Sequence, residues 1–74
     1  GGFTMQAISK AAQGQTYTVK WMFGFSDVLN FLRSYDIQEG SSIKVIGKTI
    51  GGLIIGTDTK RLFIGNEAAD RIQV

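Results

Sequence analysis

Seventy-four residues with a formal net charge of +2 allow one small domain, and a chain this short buries only about 60% of its unfolded surface. Cysteine and histidine are both absent, which removes disulfide staples, thiol nucleophiles, imidazole bases and the usual zinc sites together. The 43% hydrophobic content argues against disorder, and no apolar run approaches the ~18 residues of a membrane span.

Gly1-Gly2-Phe3-Thr4 precedes Met5 and reads as a cloning remnant, with residues 5–74 as a single domain. Residues 6–14 lack clear periodicity and suggest a turn or loose helical segment around Ile8. From Thr16 to Met22 the chain alternates, with Tyr17, Val19 and Trp21 on one face and Thr16, Thr18 and Lys20 on the other. Period two with β-branched and aromatic residues predicts a half-buried strand, which makes Trp21 a core residue first and an anchor second. Ser26 is the expected N-cap of a helix, with Asp27 in its first turn. Val28, Phe31, Leu32 and Tyr35 then form a helical stripe, and adding Phe25 and Leu29 widens it to roughly 160°.

Gly40 closes a loop after Ile37, and Ser42–Ile50 is the longest expected strand. Ile43 and Val45 point one way, Lys44, Ile46 and Lys48 the other, and Gly47 suggests a bulge. Gly51-Gly52 is expected to supply the positive φ of a tight hairpin, and Leu53-Ile54-Ile55 suits a central strand. Asp58-Thr59 marks the next turn, before a strand with Leu62 and Ile64 on one face and Phe63 on the other. Asn66 is the expected cap of one helical turn, and the chain closes on a strand with Ile72 and Val74 inward. Five short strands predict a mainly β fold: a small barrel, free of exposed edges, with a helix inserted after the first strand and flanking an open end.

No catalytic constellation accompanies these elements. Asp27, Asp36, Glu39, Asp58, Glu67 and Asp70 are scattered without calcium-loop spacing, and they read as solvated surface charges. Glu67 and Asp70 sit three apart with no nucleophile nearby, and the glycines lack the lysine and helix of a phosphate loop. No cofactor, metal site or catalytic residue is expected.

The residues resemble the FeoA family across Ala7–Val74. Gly14-Gln15-Thr16-Tyr17-Thr18-Val19 resembles its first strand, and Ile37-Gln38-Glu39-Gly40-Ser41-Ser42-Ile43-Lys44-Val45 its turn into the second. The closing phrase is similar too: strand, glycine, acidic-alanine turn, then Ile72-Gln73-Val74. The order of elements carries the likeness more than any short motif. The chain departs from the family at Leu32-Arg33-Ser34-Tyr35-Asp36, with one arginine and no glycine, and at the hairpin Thr49-Ile50-Gly51-Gly52-Leu53, which lacks proline.

The resemblance implies an SH3-like barrel of about five strands. It also implies a non-enzymatic cytoplasmic accessory protein of bacterial ferrous iron transport, binding the cytoplasmic part of a FeoB-like GTPase transporter. The helix is then the candidate partner surface: Phe25, Leu29, Phe31, Arg33 and Tyr35. The competing expectation buries each apolar member of that set over the barrel mouth. Arg33 is either a solvated arginine or, far less simply, a finger aiding GTP hydrolysis.

The alternative is a small-barrel nucleic-acid-binding or metal-dependent regulator module, using Lys44, Lys48, Lys60 and Arg61 as a basic stripe beside Phe63. The modest net charge disfavours nucleic acid. Exposed strand edges or the surplus stripe leave homo-oligomers open, and direct membrane insertion is not expected.

Overall fold

A computed structural model describes residues 4–74; most of the segment read as a cloning remnant lies outside the described residues. The first element is a 3-10 turn at Ile8–Lys10, and its Ile8 side chain is fully buried. Strands β1 (Thr16–Thr18) and β2 (Trp21–Met22) follow, then helix α1 (Ser26–Ser34). Strands β3 (Ser42–Lys48), β4 (Gly52–Gly56) and β5 (Arg61–Gly65) come next, then the single-turn helix α2 (Asn66–Ala69) and strand β6 (Ile72–Gln73).

The strands form a four-stranded antiparallel sheet, β1-β3-β4-β5, and a two-stranded one, β2-β6. The fold is mainly β and SH3-like, as the sequence implies, with six strands where five are expected. The extra strand arises because the first run is broken in two. Thr16–Thr18 pairs with β3, whereas Trp21-Met22 pairs with β6. Between them the Val19 amide donates to the Ser41 carbonyl and the Lys20 amide to the Gln73 carbonyl, so the chain changes sheets there. The corner resets the period-two phase. Val19 and Met22 are buried, while Trp21 turns outward and stays 51% exposed, against the expectation for a core residue.

The central ladder follows the pattern of its sequence. Ile43, Val45, Leu53, Ile55 and Ile64 are buried in one core with Ile72 and Val74 of the last strand. Between Val45 and Gly47 the register slips, leaving Ile46 as the extra residue of the expected bulge. The hairpin glycines work differently from expectation. The only glycines with positive φ among the described residues are Gly14, Gly24 and Gly40. Gly52 is required instead by close approach: a Cβ there would stand 2.1 Å from the Ile64 carbonyl oxygen and 2.9 Å from the Gly65 Cα.

Neither expected N-cap side chain caps its helix. Phe25 and Gly65 occupy the cap positions, and neither helix start has a side-chain cap bond. Asn66 instead donates its Nδ2 to the Ile50 carbonyl at 2.8 Å, tying α2 to the β3–β4 hairpin. The end of α1 explains how the chain turns without a glycine. Asp36 adopts φ 64°, the Ile37 amide donates to the Leu32 carbonyl, and the Asp36 amide donates to the Arg33 carbonyl. That pair of bonds is a Schellman motif, and its customary apolar contact is supplied by Leu32 and Ile37, both fully buried. Helix α1 is therefore held on the core chiefly through Leu32.

Candidate functional site

Of the expected partner residues, Phe25 is 75% exposed and Phe31 is 49% exposed, whereas Leu29 and Tyr35 are half-buried against the core. The expectation that the helix buries all of its stripe fails at both phenylalanines. A helix turns ~100° per residue, so Leu32 facing inward sets Phe31 and Tyr35 on one margin and Leu29 and Arg33 on the other. Four of the five residues are therefore split between two flanks of α1, and Phe25 stands at its N-cap.

On the first flank the Phe31 and Tyr35 rings lie 5.1 Å apart. Lys60 extends from the β4–β5 turn over Tyr35, 5.5 Å from the ring centroid, and donates to the Ser34 carbonyl at 3.0 Å. Its ammonium also lies 3.9 Å from Asp36. These contacts anchor the C-terminal end of α1, which makes Tyr35 more a positioning group than a free anchor. Exposed ion pairs of this kind contribute little stability by themselves. Arg33 has no acidic partner within ion-pair distance among the described residues.

At the other end of the helix a second group of aromatic residues emerges, of which the sequence reading names Phe25 as a candidate contact and places Trp21 in the core first. Trp21 and Phe23 stack with ring centroids 4.9 Å apart, and both are exposed. Arg71 lines a shallow groove of about 270 Å³ with Phe23, Glu67 and Asp70, and its guanidinium lies 6.0 Å from the Phe25 ring. Trp21, Phe23 and Phe25 thus form an exposed ridge with Arg71 beside it. The signal was the spacing of every second residue from 21 to 25. It was hidden by treating Trp21 as continuous with Val19. A ridge of large apolar rings beside an arginine has the composition of a protein-binding surface.

The basic stripe does not assemble as one surface. Lys44, Lys60 and Arg61 line a groove of about 350 Å³ together with Asp58, but Lys48 turns away to donate to the Ala11 carbonyl at 2.9 Å. Among the described residues, no three acidic side chains gather as a metal-binding group, and no helix is long and apolar enough to cross a membrane. Asp70 accepts a hydrogen bond from the Ser9 hydroxyl, which ties α2 to the N-terminal 3-10 turn.

The FeoA domain family matches residues 7–74. The chain belongs to the FeoA family. A crystal structure described as an iron uptake regulatory protein, FeoA, superposes with a TM-score of 0.84 at 25% identity, covering 97% of this chain and 96% of that one. A manganese-dependent transcriptional repressor superposes with a TM-score of 0.87 at 22% identity, covering 95% of this chain and 40% of the repressor. IdeR of T. acidophilum gives 0.85 at 19% identity, covering 100% of this chain and 35% of that protein. At such identity the last two show a common fold alone. A search of curated protein sequences finds no match. FeoA membership supports an accessory role in ferrous iron transport, carried by a non-catalytic domain type.

Proposed function

We propose that this FeoA domain is a non-enzymatic cytoplasmic accessory module that docks on the cytoplasmic part of a FeoB-like GTPase transporter. The family match over residues 7–74 carries this reading. The exposed aromatic surface supplies its contact: the Trp21–Phe23–Phe25 ridge, continuing to Leu29 and Arg33 on one margin of α1. Phe31, with Tyr35 beneath it, forms the second margin. Rigid aromatic side chains bring large contact areas with little conformational entropy to lose, so a few of them dominate the affinity.

Titration of the domain against the transporter's soluble GTPase part, in each nucleotide state, tests the reading. Trp21→Ser and Phe25→Ser are expected to weaken binding at least tenfold, with Phe31→Ser next. Absence of binding by the unmutated domain in every state, together with normal iron uptake in a deletion strain, rejects it. Arg33 is taken as a rim contact. Hydrolysis of GTP unchanged by Arg33→Ala in the complex supports that role, and a fall of about a thousandfold assigns it as a finger instead. The likeness to a manganese-dependent transcriptional repressor supports the fold and adds no DNA-binding role to this chain.

A further inference from the structure

Strand β5 ends the four-stranded sheet, with β4 on one side and no strand on the other among the described residues. Antiparallel neighbours exchange backbone bonds only at alternate residues, so one bonded pair fixes the parity of the whole ladder. Two bonds fix it here, one from each end. The Thr57 amide donates to the Lys60 carbonyl at 2.8 Å, and the Asn66 amide donates to the Gly51 carbonyl at 3.1 Å. The register between them is unbroken. Leu62 and Ile64 therefore direct their N–H and C=O groups to β4, Arg61 and Phe63 direct theirs to the open side, and Gly65 offers only its N–H there, because as the N-cap of α2 its carbonyl accepts the first bond of that helix. Among the described residues, no bond outside the strands and helices engages the backbone of Arg61, Phe63 or Gly65 on that side.

Sheet edges are ordinarily blunted by brevity, lysine, proline or a bulge. The opposite edge, β1, has three residues and presents Thr16 and Thr18. By contrast β5 has five residues, contains no proline and no register shift, and carries at its centre Phe63, which is 55% exposed. Phe63 is paired across the sheet with Ile54, another exposed apolar residue, so an apolar row runs up to the open edge.

We propose that β5 is a self-association edge, on which two copies of this chain pair antiparallel about a two-fold axis at Phe63. The choice of a second copy rests on the symmetry of the edge itself. With the axis at Phe63, both backbone groups of Phe63 meet those of its own counterpart, and Arg61 lies opposite Gly65, whose N–H donates to the Arg61 carbonyl. Each arginine then crosses a residue without a side chain, so like charges do not meet. The Ile54–Phe63 row continues across the axis into the second copy, and the half-buried Leu62 gains apolar cover on the other face. A slip that centres the axis on Arg61 sets two arginines together and leaves Gly65 unpaired. The contact uses no residue of the aromatic ridge, so it is independent of the transporter reading.

The chain contains no cysteine, which makes disulfide trapping free of background. A hydrogen-bonded antiparallel pair sets its Cα atoms about 5.5 Å apart, within the ~4.4–6.8 Å a disulfide spans. Oxidation of Phe63→Cys is expected to yield a covalent dimer as the main product, while Ile54→Cys on the neighbouring strand stays monomeric. An equimolar mixture of Arg61→Cys and Gly65→Cys is expected to cross-link, and neither alone. Gly65 has room for the change, since an added Cβ meets only the Gly51 carbonyl oxygen at 3.9 Å. Circular dichroism of the reduced variants checks that each is folded. The unmutated chain is expected to sediment at its 8.1 kDa mass when dilute and at twice that mass when concentrated, with Phe63→Lys abolishing the shift. Linking of Phe63→Cys no faster than Ile54→Cys, or an unmutated chain that remains 8.1 kDa at millimolar concentration, overturns the proposal.

Discussion

The β3–β5 ladder and the α1 helix are both rich in apolar side chains, yet they dispose of them differently. On the ladder, Ile43, Val45, Leu53, Ile55 and Ile64 are all buried, and of their inward companions only Leu62, on the edge strand, is half-buried. On α1, Leu32 alone is fully buried, Val28, Leu29 and Tyr35 are half-buried, and Phe25 and Phe31 face outward. A strand in the middle of a sheet has its faces fixed by its neighbours' hydrogen bonds, so alternation decides burial. A helix satisfies its own backbone, and what its stripe covers depends on the surface beneath. Of α1 and its caps only Leu32 enters the core completely. The surplus becomes surface, and surplus apolar surface is where a binding module keeps its contacts.

If this contrast is right, α1 should depend on one residue. Leu32→Ala is expected to destabilise the domain by about 3 kcal/mol, through lost burial and an unfilled cavity, read as a lower urea midpoint. An unchanged midpoint would mean that the helix is held elsewhere. The ladder should break at its closest backbone contact. Gly52→Ala is expected to cost about 2–3 kcal/mol because the Ile64 carbonyl opposite it cannot retreat as a side chain can. At Gly51, where an added Cβ meets nothing within 4 Å and φ is not positive, alanine should stay within about 0.5 kcal/mol of the parent. Equal effects at the two glycines would return the hairpin to the positive-φ explanation.

A smaller effect is expected at the end of α1. Asp36 holds the left-handed conformation, so Asp36→Gly should be more stable than Asp36→Ala by about 1 kcal/mol in chemical denaturation. Both variants lose the Lys60 contact, so their difference isolates the backbone conformation. Smallest of all, Phe25→Ser should shift thermal stability hardly at all, by about 0.5 kcal/mol or less, while weakening transporter binding. A large loss of stability would make Phe25 a core residue in solution and remove it from the ridge.

Much of the ladder was legible because its signals are local. Leu53-Ile54-Ile55 became the inner strand β4, Gly47 marked the bulge, and Ile72 and Val74 turned inward. The caps were less legible because a side chain's bond depends on what lies across from it. Asn66 reaches the Ile50 carbonyl, sixteen residues away, in preference to its own helix. The candidate surface was half visible: the stripe pointed to Phe25 and Phe31, but Trp21 was assigned by an alternation that the chain interrupts at Val19-Lys20, and Phe23 lay outside both patterns.

By itself, the sequence determined the mainly β fold, the order of its elements, the family and the want of histidine and cysteine chemistry. Those follow from residue type and period, which every segment carries with it. Only the tertiary structure decided which apolar residues are surplus and which edge is left open. Both depend on distant partners: β6 draws Trp21-Met22 out of the first strand's sheet and turns Trp21 to solvent, and nothing comes to cover Phe63 on the far side of β5 among the described residues.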